Sequence, residues 1–206
     1  MTDSELYHEG SRELQDRFET RRIADRLEKV DLHRAFTDAE REMIESAPLF
    51  FLATIDPDGF PDVSYKGGIP GFVQVVDEST LAFPDYNGNG MFKSLGNVLA
   101  NPKVGLIFVR WGDKAKKLRV QGTASLHYDD PLMDELPGAQ LVVRVQAERI
   151  FDNCPRYLHR MVLDEYSRYA PRSEYKPPIP DWKRNPVYRD ALPERDQLAI
   201  AEEENA

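Results

Sequence analysis

The sequence has a single cysteine, Cys154, and four histidines in 206 residues. One cysteine cannot form an internal disulfide or a cysteine-rich zinc site. The histidines show no HxH or HExxH spacing, so we predict no metal site. No apolar run reaches about 18 residues, which predicts no membrane span. The N-terminal stretch also lacks the apolar core of a secretory signal, so we expect a cytoplasmic protein.

Basic residues are also fewer than acidic ones. Acidic residues number 36 and basic residues 27, which gives a formal net charge of −9. This balance argues against general DNA or RNA binding, which requires a basic surface, and against docking on anionic membranes. We therefore predict no nucleic-acid partner and no membrane partner. A local basic cluster for one phosphate group of a small molecule remains compatible with this charge.

The chain divides into three segments of different composition. Residues 1–47 are rich in charges of both signs, and their apolar residues recur at helical spacing, which predicts a helix near 11–30. Thr37 and Glu40 fit a capping box that opens a second, short helix. Residues 48–160 carry the β-rich core. Residues 161–206 are predicted to hold a C-terminal helix and a tail whose prolines exclude one continuous helix.

The β-rich segment contains about seven strand-like stretches. Their alternation or β-favouring composition is typical of strands, and they fall at 49–55, 60–65, 72–76, 80–83, 104–109, 117–127 and 141–151. The turn signal DPDG joins the first two into a hairpin. Most connections are too short for the crossover helices that a parallel sheet needs. An antiparallel barrel or sandwich is therefore predicted.

The stretch FPDYNGNGMFKSLGNVLANP (83–102) carries the clearest sign of a ligand site. Its PDYNGNG part is predicted to be irregular, and a helix is expected from about Met91 to Ala100. Lys93 and Ser94 would lie near the start of that helix, where free N–H groups and the helix dipole favour an anion. The alternative interpretation is a glycine-containing loop beside a solvated lysine. A further helix is expected within 155–169.

Two other stretches place cations on strand faces. With the period of two that strands have, Ser64 and Lys66 share one face, and so do Lys117 and Arg119. Each pair alone is equally compatible with an exposed strand surface. Together with Lys93, these cations in an acidic chain indicate one polyanionic small ligand.

In this order and spacing, these stretches resemble the pyridoxamine 5′-phosphate oxidase-like flavoproteins, the FMN-binding split-barrel family. LFFLATIDPDGFPDVSYKGG is similar to the family's opening hairpin, and KKLRVQGTA to the strand that closes the flavin site. The resemblance covers about 45–160. It implies a mainly β protein with flanking helices, built on a six-stranded antiparallel split β-barrel. It also implies a homodimer with FMN at the subunit interface.

The resemblance implies roles for particular residues. Ser64 and Lys66 would face the FMN phosphate and ribityl chain, and Lys93 and Ser94 would take the place of the family's phosphate-binding pair. Residues 83–86 would border the isoalloxazine ring, and the 117–119 strand would reach its polar edge. The full set of implied cofactor-binding residues is Ser64, Lys66, Phe83, Pro84, Asp85, Tyr86, Asn89, Lys93, Ser94, Lys117 and Arg119.

The sequence departs from the true oxidase in the region after the closing strand. That region reads SLHYDDPLMDELPG, is acidic and has no arginine for pyridoxal phosphate. Vitamin B6 chemistry is therefore not carried over, and the small-molecule substrate stays open. The resemblance implies an FMN-dependent oxidoreductase that acts through flavin hydride transfer. The alternatives are a non-catalytic flavin-binding or redox-sensing protein, or the same barrel holding a deazaflavin coenzyme or haem.

Overall fold

The computed structural model describes residues 4–205. Within this range there are six α-helices and seven strands. The helices are α1 (Glu9–Arg17), α2 (Arg21–Asp31), α3 (Asp38–Glu45), α4 (Lys93–Ala100), α5 (Pro186–Arg189) and α6 (Glu194–Glu204). The strands are β1 (Leu49–Ile55), β2 (Pro61–Gly67), β3 (Gln74–Val75), β4 (Thr80–Tyr86), β5 (Lys103–Arg110), β6 (Lys116–His127) and β7 (Ala139–Asn153).

The strands form one sheet in the order β2-β1-β5-β6-β7-β4-β3, and every neighbouring pair is antiparallel. β2 and β3 are the two edges, so the curved sheet is not closed by strand pairing. The prediction of a mainly β, antiparallel split barrel with flanking helices is confirmed. The sheet has seven strands where the resemblance implied six, and the shortest is the two-residue β3.

The core lies inside the curved sheet, where alternate strand residues point inward. Phe50 on β1, Phe83 on β4 and Phe108 on β5 are all fully buried. The Phe50 ring lies 4.9 Å from the Phe83 ring and 5.1 Å from the Phe108 ring, between centroids. Leu95 and Val98 of α4 join this cluster. The core therefore fixes α4, and with it the loop before α4, against β1 and β2.

The predicted single helix near 11–30 is wrong, because α1 and α2 are separate helices. Glu19, between them, has a left-handed backbone with a φ of 57°, a conformation that a right-handed helix cannot pass through. The apolar residues that suggested one continuous stripe are largely exposed, as Phe18 at 67 % and Val30 at 70 % show. Their helical spacing therefore indicated helices correctly but did not indicate a buried helix face.

Two further expectations are corrected. The 84–90 stretch is not entirely irregular, because β4 continues to Tyr86. Pro84 is tolerated there because β3 pairs only with Leu81 and Ala82, which leaves the rest of that β4 edge open. The structure also forms no helix within 155–169. Most apolar side chains of that segment stay exposed, with Val162 at 85 %, so little burial would stabilise a helix there.

The predicted capping box at α3 is confirmed. The Thr37 hydroxyl accepts a hydrogen bond from the Glu40 N–H, and a Glu40 carboxylate oxygen accepts from the Thr37 N–H at 2.9 Å. His33 Nε2 lies 3.0 Å from that same oxygen. The box thus satisfies free N–H groups at the start of α3 and ties the helix to the chain before it.

Replacing Thr37 with alanine is expected to lower the free energy of unfolding by about 1 kcal/mol, since an N-cap hydroxyl contributes roughly that much. Urea denaturation followed by circular dichroism measures the change. Thr20→Ala is the matched control, because Thr20 is the N-cap of α2 and its side chain makes no capping hydrogen bond. Equal losses in the two variants would contradict the assigned role of Thr37.

Candidate functional site

β2 supplies one wall of a cavity near the open edge of the sheet. Its residues alternate between exposed and half-buried, and Asp62, Ser64 and Lys66 share the half-buried face. β2 pairs with β1 from Leu49↔Gly67 to Ile55↔Pro61, and this register fixes the position of each of these side chains along the strand. The predicted shared face of Ser64 and Lys66 is therefore present.

The opposite wall is the loop that leaves β4 and enters α4. Gly90 has a φ of +76°, which favours glycine, and the Asn89 side-chain oxygen accepts a hydrogen bond from the Met91 N–H at 3.0 Å. Phe92, with a φ of 46°, precedes the first residue of α4. The N-terminal end of α4 therefore meets the β2 wall, with Lys93 exposed and Ser94 buried.

These walls enclose a cavity of about 420 Å³. It brings together seven of the residues predicted from the sequence, namely Ser64, Lys66, Asp85, Tyr86, Asn89, Lys93 and Ser94. A second cavity of about 330 Å³ adjoins it and shares Lys66, Asp85 and Tyr86. The lining of the second cavity is more apolar and includes Phe72, Leu163, Tyr166 and Tyr169. The two together form a cleft with one polar end and one more apolar end.

The cations of the cleft face carboxylates. Lys66 Nζ lies 3.9 Å from Asp85 Oδ1, and Lys93 Nζ lies 3.4 Å from Asp56 Oδ2. Ser94 Oγ donates to Asp62 Oδ2 at 3.2 Å. Each cation thus has a nearby counter-charge, and neither ion pair is a short contact.

Two groups of the site have shifted pKa values. Hydrogen bonds from the Phe60 N–H and from Lys93 hold the pKa of the Asp56 carboxyl below its usual value. Burial raises the pKa of the Tyr86 phenol to about 12. Asp56 is therefore ionised opposite Lys93 at neutral pH, and Tyr86 remains a protonated phenol that is able to donate a hydrogen bond.

Four of the residues predicted from the sequence lie outside the 420 Å³ cavity. Phe83 is fully buried in the core, and Pro84 lines the adjoining apolar cavity. Arg119 lines a different cavity of about 1140 Å³, between α2 and the ends of β5, β6 and β7. Lys117 is on the same strand as Arg119. Strand alternation and sheet order separate these residues from the β2 wall.

Among the cleft residues that the sequence argument missed are the polar side chains of Asp62 and Gln140. Asp62 lies two residues before Ser64, so strand alternation predicts that it is on the same face as Ser64 and Lys66. Gln140 enters from the start of β7, where its Nε2 donates to Asp85 Oδ2 at 2.8 Å. No local pattern in the sequence indicates Gln140, because the contact joins residues that are 55 positions apart.

Among residues 4–205, no group of three or more histidine, cysteine, aspartate and glutamate side chains is arranged to hold a metal ion. Within the same range, the helices are all too short or too polar to cross a lipid bilayer.

A protein-family model described as pyridoxamine 5′-phosphate oxidase matches residues 36–164. The match runs from just before α3 to beyond the end of β7, so it includes every strand. Comparison with curated proteins found no significant match.

Solved structures with a similar chain fold include three bacterial proteins. HupZ of Group A Streptococcus is 22 % identical, with 57 % of this chain and 93 % of that chain covered and a TM-score of 0.46. A candidate pyridoxamine 5′-phosphate oxidase of Lactobacillus delbrueckii is 28 % identical, with 58 % and 95 % covered and a TM-score of 0.45. An FMN-binding protein of Syntrophomonas wolfei is 16 % identical, with 69 % and 97 % covered and a TM-score of 0.46.

Proposed function

We propose that this chain, which belongs to the pyridoxamine 5′-phosphate oxidase family, binds FMN in the cleft between β2 and α4 and acts as an oxidoreductase on a small molecule. The observation that carries the proposal is the convergence of Lys66, Lys93, Ser64 and Ser94 in one cavity, beside a second, more apolar cavity.

The donor set suits a phosphate monoester. Two ammonium groups and two hydroxyls line the polar end of the cleft, next to the N-terminal end of α4. Charge-assisted hydrogen bonds to phosphate are about twice as strong as neutral ones, and a helix N-terminus adds its free N–H groups. The more apolar end, with Phe72 and Tyr166, suits a planar ring. FMN has this division, with a phosphate at one end and an aromatic ring at the other.

Asp62 and Asp85 also line the polar end, so their carboxylates oppose the two lysines in the charge balance. A bound phosphate must therefore compete for Lys66 and Lys93. The Lys93–Asp56 pair is 3.4 Å long and its lysine is exposed, and exposed pairs contribute only about 0–1 kcal/mol. The Lys66–Asp85 pair is more buried, but its 3.9 Å separation is too long for a charge-assisted hydrogen bond. A phosphate that accepts a short hydrogen bond from each lysine therefore competes favourably. Ser94 would likewise exchange its bond to Asp62 for one to the phosphate.

Bound FMN would supply the electron transfer itself, as flavin cofactors do. The chain's own residues would bind and orient it: Lys66 and Lys93 neutralise the phosphate, and the neutral Tyr86 phenol offers a hydrogen-bond donor. Such a site needs few acid–base side chains. The substrate is bound on the exposed part of the cofactor, and its identity is left open.

We also propose that the protein is a homodimer with the flavin at the subunit interface. Aromatic and apolar side chains stand exposed beside the cleft, including Tyr65 at 62 % and Met91 at 72 %. Lys117 and Arg119 lie outside the cavity of their own chain, so any role for them in holding the flavin requires a second copy.

The test compares FMN with riboflavin, which lacks the phosphate. Quenching of flavin fluorescence on binding gives the two affinities. We expect FMN to bind at least about 100-fold more tightly than riboflavin, because two lysines contact the phosphate. Equal affinities, or tighter binding of a deazaflavin coenzyme or haem, would overturn the assignment of FMN.

Sedimentation of the same samples tests the proposed homodimer. Oxygen consumption with NADH or NADPH then separates an oxidoreductase from a protein that holds FMN without turnover.

A further inference from the structure

The C-terminal segment packs on the outer side of the loop that forms one wall of the cleft. A cavity of about 350 Å³ separates the segment from this loop, and Trp182 and Leu192 line its C-terminal side. Gly88, Asn89 and Gly90 line this cavity and also the 420 Å³ cavity. The loop is thus a thin partition between the proposed cofactor and the C-terminal segment.

One buried lysine joins the segment to the loop. The Lys183 side chain is only 4 % exposed, and its Nζ lies 2.9 Å from Asp196 Oδ2 and 3.2 Å from Asn87 Oδ1. Asn87 Nδ2 in turn donates to Asp196 Oδ1 at 2.9 Å. The three side chains therefore form a closed triangle between the 3₁₀ turn at 181–184, α6 and the loop.

The triangle is costly to open. A buried ammonium group requires a charged partner and hydrogen bonds, and Lys183 has both here. Burial opposes the ionisation of Asp196, but hydrogen bonds from Lys183 and Asn87 outweigh it and hold the pKa of that carboxyl below its usual value. Asp196 is therefore ionised at neutral pH, and the ion pair with Lys183 is complete.

A second chain of contacts runs from α6 to the cleft itself. Arg195 donates to Gln140 Oε1 at 2.9 Å, and Gln140 donates to Asp85 Oδ2 at 2.8 Å. Asp85 is the carboxylate that faces Lys66. The segment thus reaches the polar end twice, directly through the loop and, by way of Gln140, through Asp85 at the end of β4.

We propose that Lys183 is a positioning residue for the cofactor site, which holds the 87–90 loop in its place as the wall of the cleft. The proposal rests on the proposed function of FMN binding. The NGNG sequence of the loop is intrinsically free to move, and glycine loses the most conformational freedom on ordering. Holding the loop before the ligand arrives removes that cost from binding, which is the effect of preorganisation.

The test uses Lys183→Gln and Asn87→Ala in the full-length protein. We expect each to accelerate FMN dissociation by about tenfold or more, and their effects to be non-additive because they act through one triangle. Lys183→Arg keeps the positive charge, and we expect it to release FMN more slowly than Lys183→Gln does. Arg189→Gln is the control, since Arg189 belongs to the same C-terminal segment but pairs with Glu204 of α6 rather than with the loop.

A measurement without ligand separates this proposal from the proposed function. Backbone ¹⁵N order parameters of residues 87–90 are expected to fall from values near 0.85 to below about 0.6 in Lys183→Gln. Unchanged order parameters in Lys183→Gln would overturn the positioning role, and if that variant does not fold, Asn87→Ala decides in the same way. A wild-type protein that binds no FMN would overturn the proposed function alone.

Discussion

Replacing Lys93 with glutamate is expected to weaken FMN binding by about 100-fold. A hydrogen bond to a charged group contributes about 1.5–3 kcal/mol, and each 1.4 kcal/mol is a factor of ten in affinity. The new carboxylate would also repel the phosphate and add to the acids already in the cleft. Titration of the variant with FMN, followed by flavin fluorescence, measures the loss. The affinity for riboflavin should change little, because riboflavin has no phosphate that residue 93 could bind or repel.

Lys103→Glu is the matched control for this change. Lys93 and Lys103 are both exposed lysines that pair with one carboxylate, Asp56 and Glu148 respectively, but Lys103 lies on β5 away from the cleft. If both variants lost FMN equally, the effect would come from net charge, and Lys93 would have no place in the site.

Asp56→Asn tests the same site in the opposite direction. Asp56 Oδ1 accepts hydrogen bonds from the Asp58 and Phe60 N–H groups, and an asparagine oxygen preserves both. At the other position an amide NH₂ replaces Oδ2, so the charge that faces Lys93 and the acceptor of its hydrogen bond are both removed. We therefore expect FMN affinity to rise a few-fold, since Lys93 no longer leaves an ion pair. A fall in affinity with an intact fold would show that Asp56 positions Lys93 for the phosphate.

The largest stability effect is expected at the centre of the core. Phe50→Ala should lower the free energy of unfolding by about 3–5 kcal/mol, the usual cost of truncating a buried phenylalanine. The Phe50 ring is fully buried and packs against Phe72, Phe83 and Phe108, with ring centroids 4.9–6.0 Å away. Aromatic contacts of this kind add to the loss from burial alone.

Urea unfolding of Phe50→Ala and Phe60→Ala makes the comparison. Phe60 lies beside the turn between β1 and β2, and it is 69 % exposed. Its truncation is expected to change stability by less than about 0.5 kcal/mol. A small effect at Phe50, or a comparable effect at Phe60, would mean that the core is not centred on the phenylalanine cluster.

Local signals in the sequence carried the prediction of the strands and of the polar end of the cleft. Alternation placed Lys117 and Arg119 on one face of β6, and the intervening residues Leu118 and Val120 are buried on the other. The glycine loop followed by a helix placed Lys93 and Ser94 at the start of α4, two residues after the predicted Met91. These signals are readable because periodicity, turn residues and capping depend on neighbours within a few positions.

The same local signals failed where a side chain's environment depends on distant packing. Helical spacing at 11–30 could not show that the apolar residues would stay exposed, nor that Glu19 would separate two helices. The same holds for the apolar residues of the 91–100 helix, because Leu95 and Val98 are buried whereas Phe92 is 50 % and Leu99 71 % exposed. Which face of a helix is buried depends on where the sheet lies.

Local patterns in the chain thus predicted the order of the strands, the antiparallel class and the grouping of Ser64, Lys66, Lys93 and Ser94. Which other residues reach that group depends on long-range packing. It brought Gln140 to Asp85 and separated Arg119 from the cleft. It also brought Lys183 to Asn87 across 96 positions of sequence. Such contacts arise when the sheet curves and the C-terminal segment returns over it, so no local pattern encodes them.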